Sequence, residues 1–207
     1  MRILTIFSRV FVGLLFIFSG FIKANDTLGF SYKLVEYFEV FETHFLVPLA
    51  LPLAVFICIF EIILGFSLLI GSRVKLTLWL SLLMILFFTF LTFYSAYYNK
   101  VTSCGCFGDA IPLTPWQSFY KDVSLLVLII ILFIGKKYLT PIVGSTFETI
   151  LVAIIIIAAV AFPIYTINYL PVIDFRPYAI GKNIPEQTKG VPDELKYFYI
   201  LKDKKNG

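Results

Sequence analysis

The stretch Val47–Ile70, VPLALPLAVFICIFEIILGFSLLI, runs 24 residues with a single charged side chain, Glu61. A helix rises about 1.5 Å per residue and the hydrocarbon core of a bilayer is about 30 Å thick, so this run is long enough to cross it. Four more apolar segments of similar length lie along the chain, at about 3–22, 76–98, 115–134 and 148–167, and all five read as membrane-spanning helices. Composition agrees: of 207 residues 59% are hydrophobic and 14% charged, with a mean hydropathy of +0.92, which excludes an ordinary soluble domain. A net charge of +4 would suit nucleic acid in a soluble chain. Here the Lys and Arg residues sit in short clusters between apolar runs, where membrane topology accounts for them, and no nucleic-acid partner is expected. Met1-Arg2 before an apolar run resembles a signal peptide, but Ser19-Gly20-Phe21-Ile22-Lys23 offers no small-x-small cleavage site, so the segment reads as a retained helix.

Local signals sharpen two helix starts. Thr114-Pro115-Trp116-Gln117 places a capping Thr before a Pro at the first helical position, and Ser145-Thr146-Phe147-Glu148 has the Ser-x-x-Glu form of a capping box. Between the first two spans, Leu34, Phe38, Phe41 and Phe45 recur at helical spacing, with Lys33, Glu36, Glu39 and Glu42 on other faces. This predicts an interfacial helix roofing the outer mouth of the bundle, against membrane lipid.

Orientation follows from the basic residues. Arg2 and Arg9, Arg73 and Lys75, and Lys136 and Lys137 occupy stretches without Asp or Glu, which the positive-inside rule assigns to the cytoplasm together with the N-terminus. The intervening loops, 23–46 and 99–118, mix Lys23, Lys33 and Lys100 with Asp26, Glu36, Glu39, Glu42 and Asp109, and so face outward. The fifth span has Arg176 and Lys182 on its outer flank, so the outward tail rests on counting five spans from a cytoplasmic start.

Ser103-Cys104-Gly105-Cys106-Phe107-Gly108 thereby falls on the outer face of a bacterial inner membrane, in the periplasm, where disulfides form and persist. A ring closed by Cys-x-Cys is too small for relaxed disulfide geometry, so its bridge is strained and relatively oxidising, ready to be passed on. Lys100 and the helix start at Pro115 favour a thiolate there, while Asp109 opposes it. Two blander readings stand beside this one. The cysteines form an inert staple, although closing so short a loop removes little chain entropy, or they bind a metal. The single histidine, His44, lies in the other outer loop and does not complete a four-ligand zinc set, so no metal is assigned. The third cysteine, Cys58, sits halfway along the second span and reads as packing.

Ionisable residues inside the spans are the next signal, because each is costly in hydrocarbon. Glu61 lies near mid-span, and Arg9 lies at a depth its guanidinium can bridge. The expectation is an Arg9–Glu61 ion pair, with a proton-relay role for Glu61 as the alternative. Lys121 and Asp122, about two turns into the fourth span, lie on the side of the Cys-Gly-Cys loop, where either exchanges protons near the sulfurs or Lys121 snorkels to the interface. After the fifth span, Pro163, Pro171, Pro177 and Pro185 punctuate an extended connection to a strand over Leu195–Lys202. The final Asn206-Gly207 is a hairpin-turn signal with no second strand behind it, which reads as the start of a truncated outer domain. The expected organisation is all-α: a four-helix transmembrane domain over 1–140, a fifth transmembrane helix over 141–168 and a short periplasmic tail over 169–207.

Arg9 with Gly13, Ser19-Gly20 and Lys23; Glu61 with Gly65, Leu68-Leu69 and Gly71; and Cys104-Gly105-Cys106-Phe107-Gly108 followed by Trp116 and Lys121-Asp122 together resemble the MauE/DoxX group of redox-associated membrane proteins over about residues 1–135. The resemblance implies a four-helix core broadly like that of vitamin K epoxide reductase and a role in disulfide formation or maturation of exported proteins. With the outward tail it looks like the DoxX-type proteins of Bacteroidetes. The family is named for methylamine utilisation, and nothing in these residues singles out that client. The functional expectation is a thiol-disulfide relay. Cys104 and Cys106 exchange a disulfide with a periplasmic thioredoxin-like partner and electrons leave to the membrane, with a quinone as a candidate carrier. The rival expectation is a non-enzymatic membrane scaffold whose Cys-Gly-Cys pair only pins a loop.

Overall fold

The computed structural model describes residues 1–98, 107–108 and 110–175. Cys104 and Cys106, with Lys100 and Asp109, lie outside the described residues, as do Arg176, Lys182 and the strand expected at 195–202. The first compact unit, Met1–Ile173, holds every described helix.

Five helices are long and apolar enough to cross a membrane. They are α1 (Arg2–Asn25), α3 (Ala50–Ile70, entered through a 3₁₀ segment His44–Leu49), α4 (Val74–Tyr98), α5 (Pro115–Ile134) and α6 (Ser145–Asn168), with the shorter α2 (Thr27–Val40) between the first two. The protein is an all-helical, multi-pass membrane protein, and among the described residues there is no strand. α1, α3, α4 and α5 enclose an apolar core that includes Val12, Phe16, Leu64, Leu78, Ile85 and Ile129. α6 lies against α1 and α3, burying Ala159, Pro163 and Thr166 and stacking Phe162 on Phe21 at 4.5 Å. Its remaining isoleucines are largely exposed, as suits a helix whose other face meets lipid.

The tightest packing is between α1 and α3, where two helices without a water-driven attraction are held by close backbone approach. A Cβ on Gly65 would stand 2.6 Å from the Gly13 carbonyl oxygen and 2.9 Å from the Ile17 amide nitrogen. Only hydrogen fits there.

The C-terminus of α3 shows where Arg9 goes. The last four carbonyls of a helix lack intrahelical partners, and in hydrocarbon each must find one. The amides of Gly71 and Ser72 donate to Ser67 O and that of Ile142 to Ile70 O. Arg9 supplies the other two, Nε to Leu68 O at 2.8 Å and Nη2 to Leu69 O at 2.7 Å, and also reaches Thr140 O at 3.2 Å through Nη1. The expected Arg9–Glu61 pair therefore does not form: the guanidinium fork is spent on helix-end carbonyls about two turns beyond Glu61. Gly71 closes the helix at φ +78°, and a Cβ on it would lie 2.7 Å from Arg9 Nη2.

Of the two capping signals, one forms. Thr114 Oγ1 accepts from the Gln117 amide at 3.3 Å and Gln117 Oε1 accepts from the Thr114 amide at 3.0 Å. Thr114→Ala is expected to destabilise the protein by about 1 kcal/mol, read as a lowered unfolding midpoint in detergent, with Thr114→Ser restoring most of it. At α6 the N-cap is Gly144 with no side-chain cap. Glu148 instead accepts from Ser72 Oγ at 2.6 Å, because the α3–α4 turn comes within reach of its carboxylate.

α2 starts on an Asp26 cap, whose Oδ1 accepts from the Gly29 amide at 2.9 Å, and folds back over the bundle. It buries Phe30, Leu34 and Tyr37, while the following Phe41 lies 4.6 Å from the Tyr94 ring. The amphipathic stripe is real but shorter than its spacing suggests: the helix stops at Val40 and Phe45 is 76% exposed. At this same end the Asn25 side chain grips the backbone of Ile173, donating to its carbonyl at 2.7 Å and accepting from its amide at 3.1 Å. Arg2, Arg73, Lys75, Lys136 and Lys137 are all exposed at the opposite end.

Candidate functional site

The last turns of α1 place Ser19 and Lys23 four residues apart on one face, pointing at Glu61 on α3. Lys23 Nζ lies 2.7 Å and 2.8 Å from the two Glu61 oxygens and 3.0 Å from Ser19 Oγ. It also sits 4.5 Å from the centre of the Phe88 ring and 5.4 Å from that of Phe30. The two side chains are 1% and 4% exposed. Lys23, expected in an outer loop, is thus a core residue. α1 continues three residues past the apolar run, and α2 lies over its end. The signal available in the sequence was the Ser19–Lys23 spacing together with an acid on the next span in need of a cation.

A second ion pair lies on α5. Lys121 Nζ is 2.9 Å from Asp122 Oδ1, with side-chain exposures of 17% and 1%. Thr92 of α4, which sequence reading did not single out, donates its hydroxyl to Asp122 Oδ2 at 3.0 Å. Above this pair, Phe107 is 8% exposed, its ring 4.8 Å from Lys121 Nζ and 5.5 Å from the Phe18 ring.

Both ion pairs line one enclosed cavity between α1, α3, α4 and α5, walled otherwise by Leu15, Phe16, Ile85, Phe88 and Leu125. The space open to the centre of a water-sized sphere is about 10 Å³, room for a single water at most. A quinone ring does not fit. Cys58, one turn before Glu61 on α3, is a free thiol with no exposure, packed among Ala24, Ala54 and Ile62. Among the described residues no three His, Cys, Asp or Glu side chains converge on a metal site, and His44 is exposed.

Fold and site together define a multi-pass helical membrane protein whose first four spans enclose two ion pairs around a water-sized void. The chain belongs to the family of the methylamine utilisation protein MauE, whose family model matches residues 1–135. That match ends with α5, so it contains both ion pairs and leaves α6 outside. The chain is also similar to Protein TlpB of Flavobacterium psychrophilum, 26% identical over an alignment of 160 positions covering 69% of this chain and 41% of that protein. The matched region thus spans about two fifths of the length of this relative. No solved structure matches.

Proposed function

We propose that this protein is a thiol-disulfide exchange component of the bacterial inner membrane, with its N-terminus in the cytoplasm and Cys104 and Cys106 facing the periplasm. A thiolate of a thioredoxin-like partner attacks one sulfur of the Cys104–Cys106 bridge, which releases the other as a thiolate. The partner's second thiolate then attacks the mixed disulfide, so that the partner leaves oxidised and Cys104 and Cys106 remain as a dithiol. Protons and charge are balanced locally by ionisable groups. The observation that carries this reading is Phe107. The residue following Cys106 in the chain is buried against Phe18 and the Lys121 ammonium, so a Cys-Gly-Cys sequence adjoins a protected charge cluster. Membership of the MauE family and the exposed basic residues at the opposite end of the bundle support the reading. A quinone acceptor would have to meet the thiols outside the enclosed cavity.

Cys104→Ser and Cys106→Ser are each expected to abolish disulfide transfer to a reduced periplasmic substrate, and one of the two to trap a covalent partner on non-reducing gels. An impermeant maleimide should label the wild-type thiols in intact cells after mild reduction. Full activity in the doubly substituted protein, or labelling only after the cytosol is opened, would overturn the proposal. A bridge that stays oxidised below about −300 mV would mark it as structural and favour the scaffold reading.

A further inference from the structure

The two enclosed ion pairs are not equivalent. Lys23 is sealed: both Glu61 oxygens and Ser19 Oγ surround its ammonium, two aromatic rings cover it, and 1% of its side chain is exposed. Lys121 is the neighbour of Asp122 in sequence, and adjacent helical residues do not naturally face each other, so its flexible four-carbon stem must bend to bring the ammonium inward. It keeps 17% exposure where Asp122 has 1%, and its ammonium lies 4.8 Å from the centre of the Phe107 ring.

We propose that Asp122 is a proton-binding site worked by Lys121: when the Lys121 ammonium turns outward past Phe107, a proton takes its place on the Asp122 carboxylate. The reason is charge balance in a low dielectric. A carboxylate left in this cavity with only a hydroxyl donor is strongly disfavoured, whereas one ammonium out and one proton in leaves the enclosed charge unchanged. Among the described residues, Asp122 is faced by Ser19 and Lys23 of α1, Glu61 of α3, Thr92 of α4 and Lys121 of its own helix, with uncharged Phe107 above. α2 and α6 line no part of the cavity. The Lys23–Glu61 pair is already neutral, so it neither replaces the departing cation nor competes for the proton. Thr92 suits both states, because a hydroxyl donates to a carboxylate and accepts from a carboxylic acid.

The exchange gives the proposed redox reaction a proton acceptor, and this part rests on that reading. When disulfide transfer has released a thiolate at Cys104 or Cys106, the Lys121 ammonium turns outward and Asp122 takes up one proton from water, so the new negative charge is balanced. The O–H bond formed on Asp122 is the net bond gained at the protein in this step, and no electrons move.

Infrared difference spectroscopy of protein in liposomes reads the carboxyl state directly. Lys121→Met is expected to show a protonated-carboxyl band at neutral pH that disappears in Lys121→Met/Asp122→Asn, while Lys121→Arg shows none. In the wild type, chemical reduction should produce the same band, absent in Asp122→Asn and unaffected by Asp26→Asn. A Lys121→Met protein without the band, or with one that survives Asp122→Asn, overturns the proton site. The same Lys121→Met spectrum recorded in the Cys104→Ser/Cys106→Ser background separates the two ideas, because it should retain the band whether or not the thiols exchange. Should Lys121→Met fail to fold, Lys121→Gln is the substitute for the same comparison.

Discussion

Lys23→Met is expected to destabilise the bundle by about 3–5 kcal/mol, the scale for removing one partner of a buried ion pair. The substitution nearly preserves side-chain volume, so the effect isolates charge. Glu61 would be left in a cavity shared with the Lys121–Asp122 pair and otherwise walled by Leu, Phe and Ile, with Ser19 Oγ 3.4 Å from each oxygen as a weak remaining donor. Titration of the detergent-solubilised protein with a denaturing detergent measures the change. The double substitution Lys23→Met/Glu61→Leu should recover most of the loss, since replacing a whole buried pair by apolar groups of similar size is often neutral or stabilising. A single-variant loss under about 1 kcal/mol would mean that water reaches Glu61 and that the cavity is not sealed.

Gly65→Val is the second large effect, and it arises from sterics alone. Its Cβ would meet the Gly13 carbonyl oxygen and the Ile17 amide nitrogen, backbone atoms of α1 that have no rotamer into which to retreat. α1 must move away from α3. Overpacking of this kind costs about 1–3 kcal/mol where side chains can adjust, and the upper end is expected here. The same displacement would shift Ser19 and Lys23 relative to Glu61, so Gly65→Val and Lys23→Met should be less than additive, which a double-mutant cycle tests. Gly65→Ala should retain part of the effect, because the clash lies at Cβ itself.

The spans were legible because their signal is length and apolarity, properties of contiguous residues. The run 115–134 coincides with α5, and the others differ from their helices by a few residues at either end. The cap at Thr114 was legible for the same reason: donor and acceptor are three residues apart. The box at Ser145 was not, since Ser72, 76 residues away, binds the Glu148 carboxylate. The partner of Glu61 lay beyond the sequence too. Depth along the helix made Arg9 a candidate, but depth is one coordinate of three. The orphaned carbonyls of Leu68 and Leu69 claim the guanidinium first.

Sequence by itself determined that this chain lies in a membrane as five helices, that its family signature lies in the first four, and that acids and bases are carried into the apolar layer. Only the tertiary structure decided which charge meets which. Pairing in a low dielectric depends on the distance between side chains of different helices, and that distance is set by how closely Gly13 and Gly65 let α1 and α3 approach and by α2 folding back to cover Lys23.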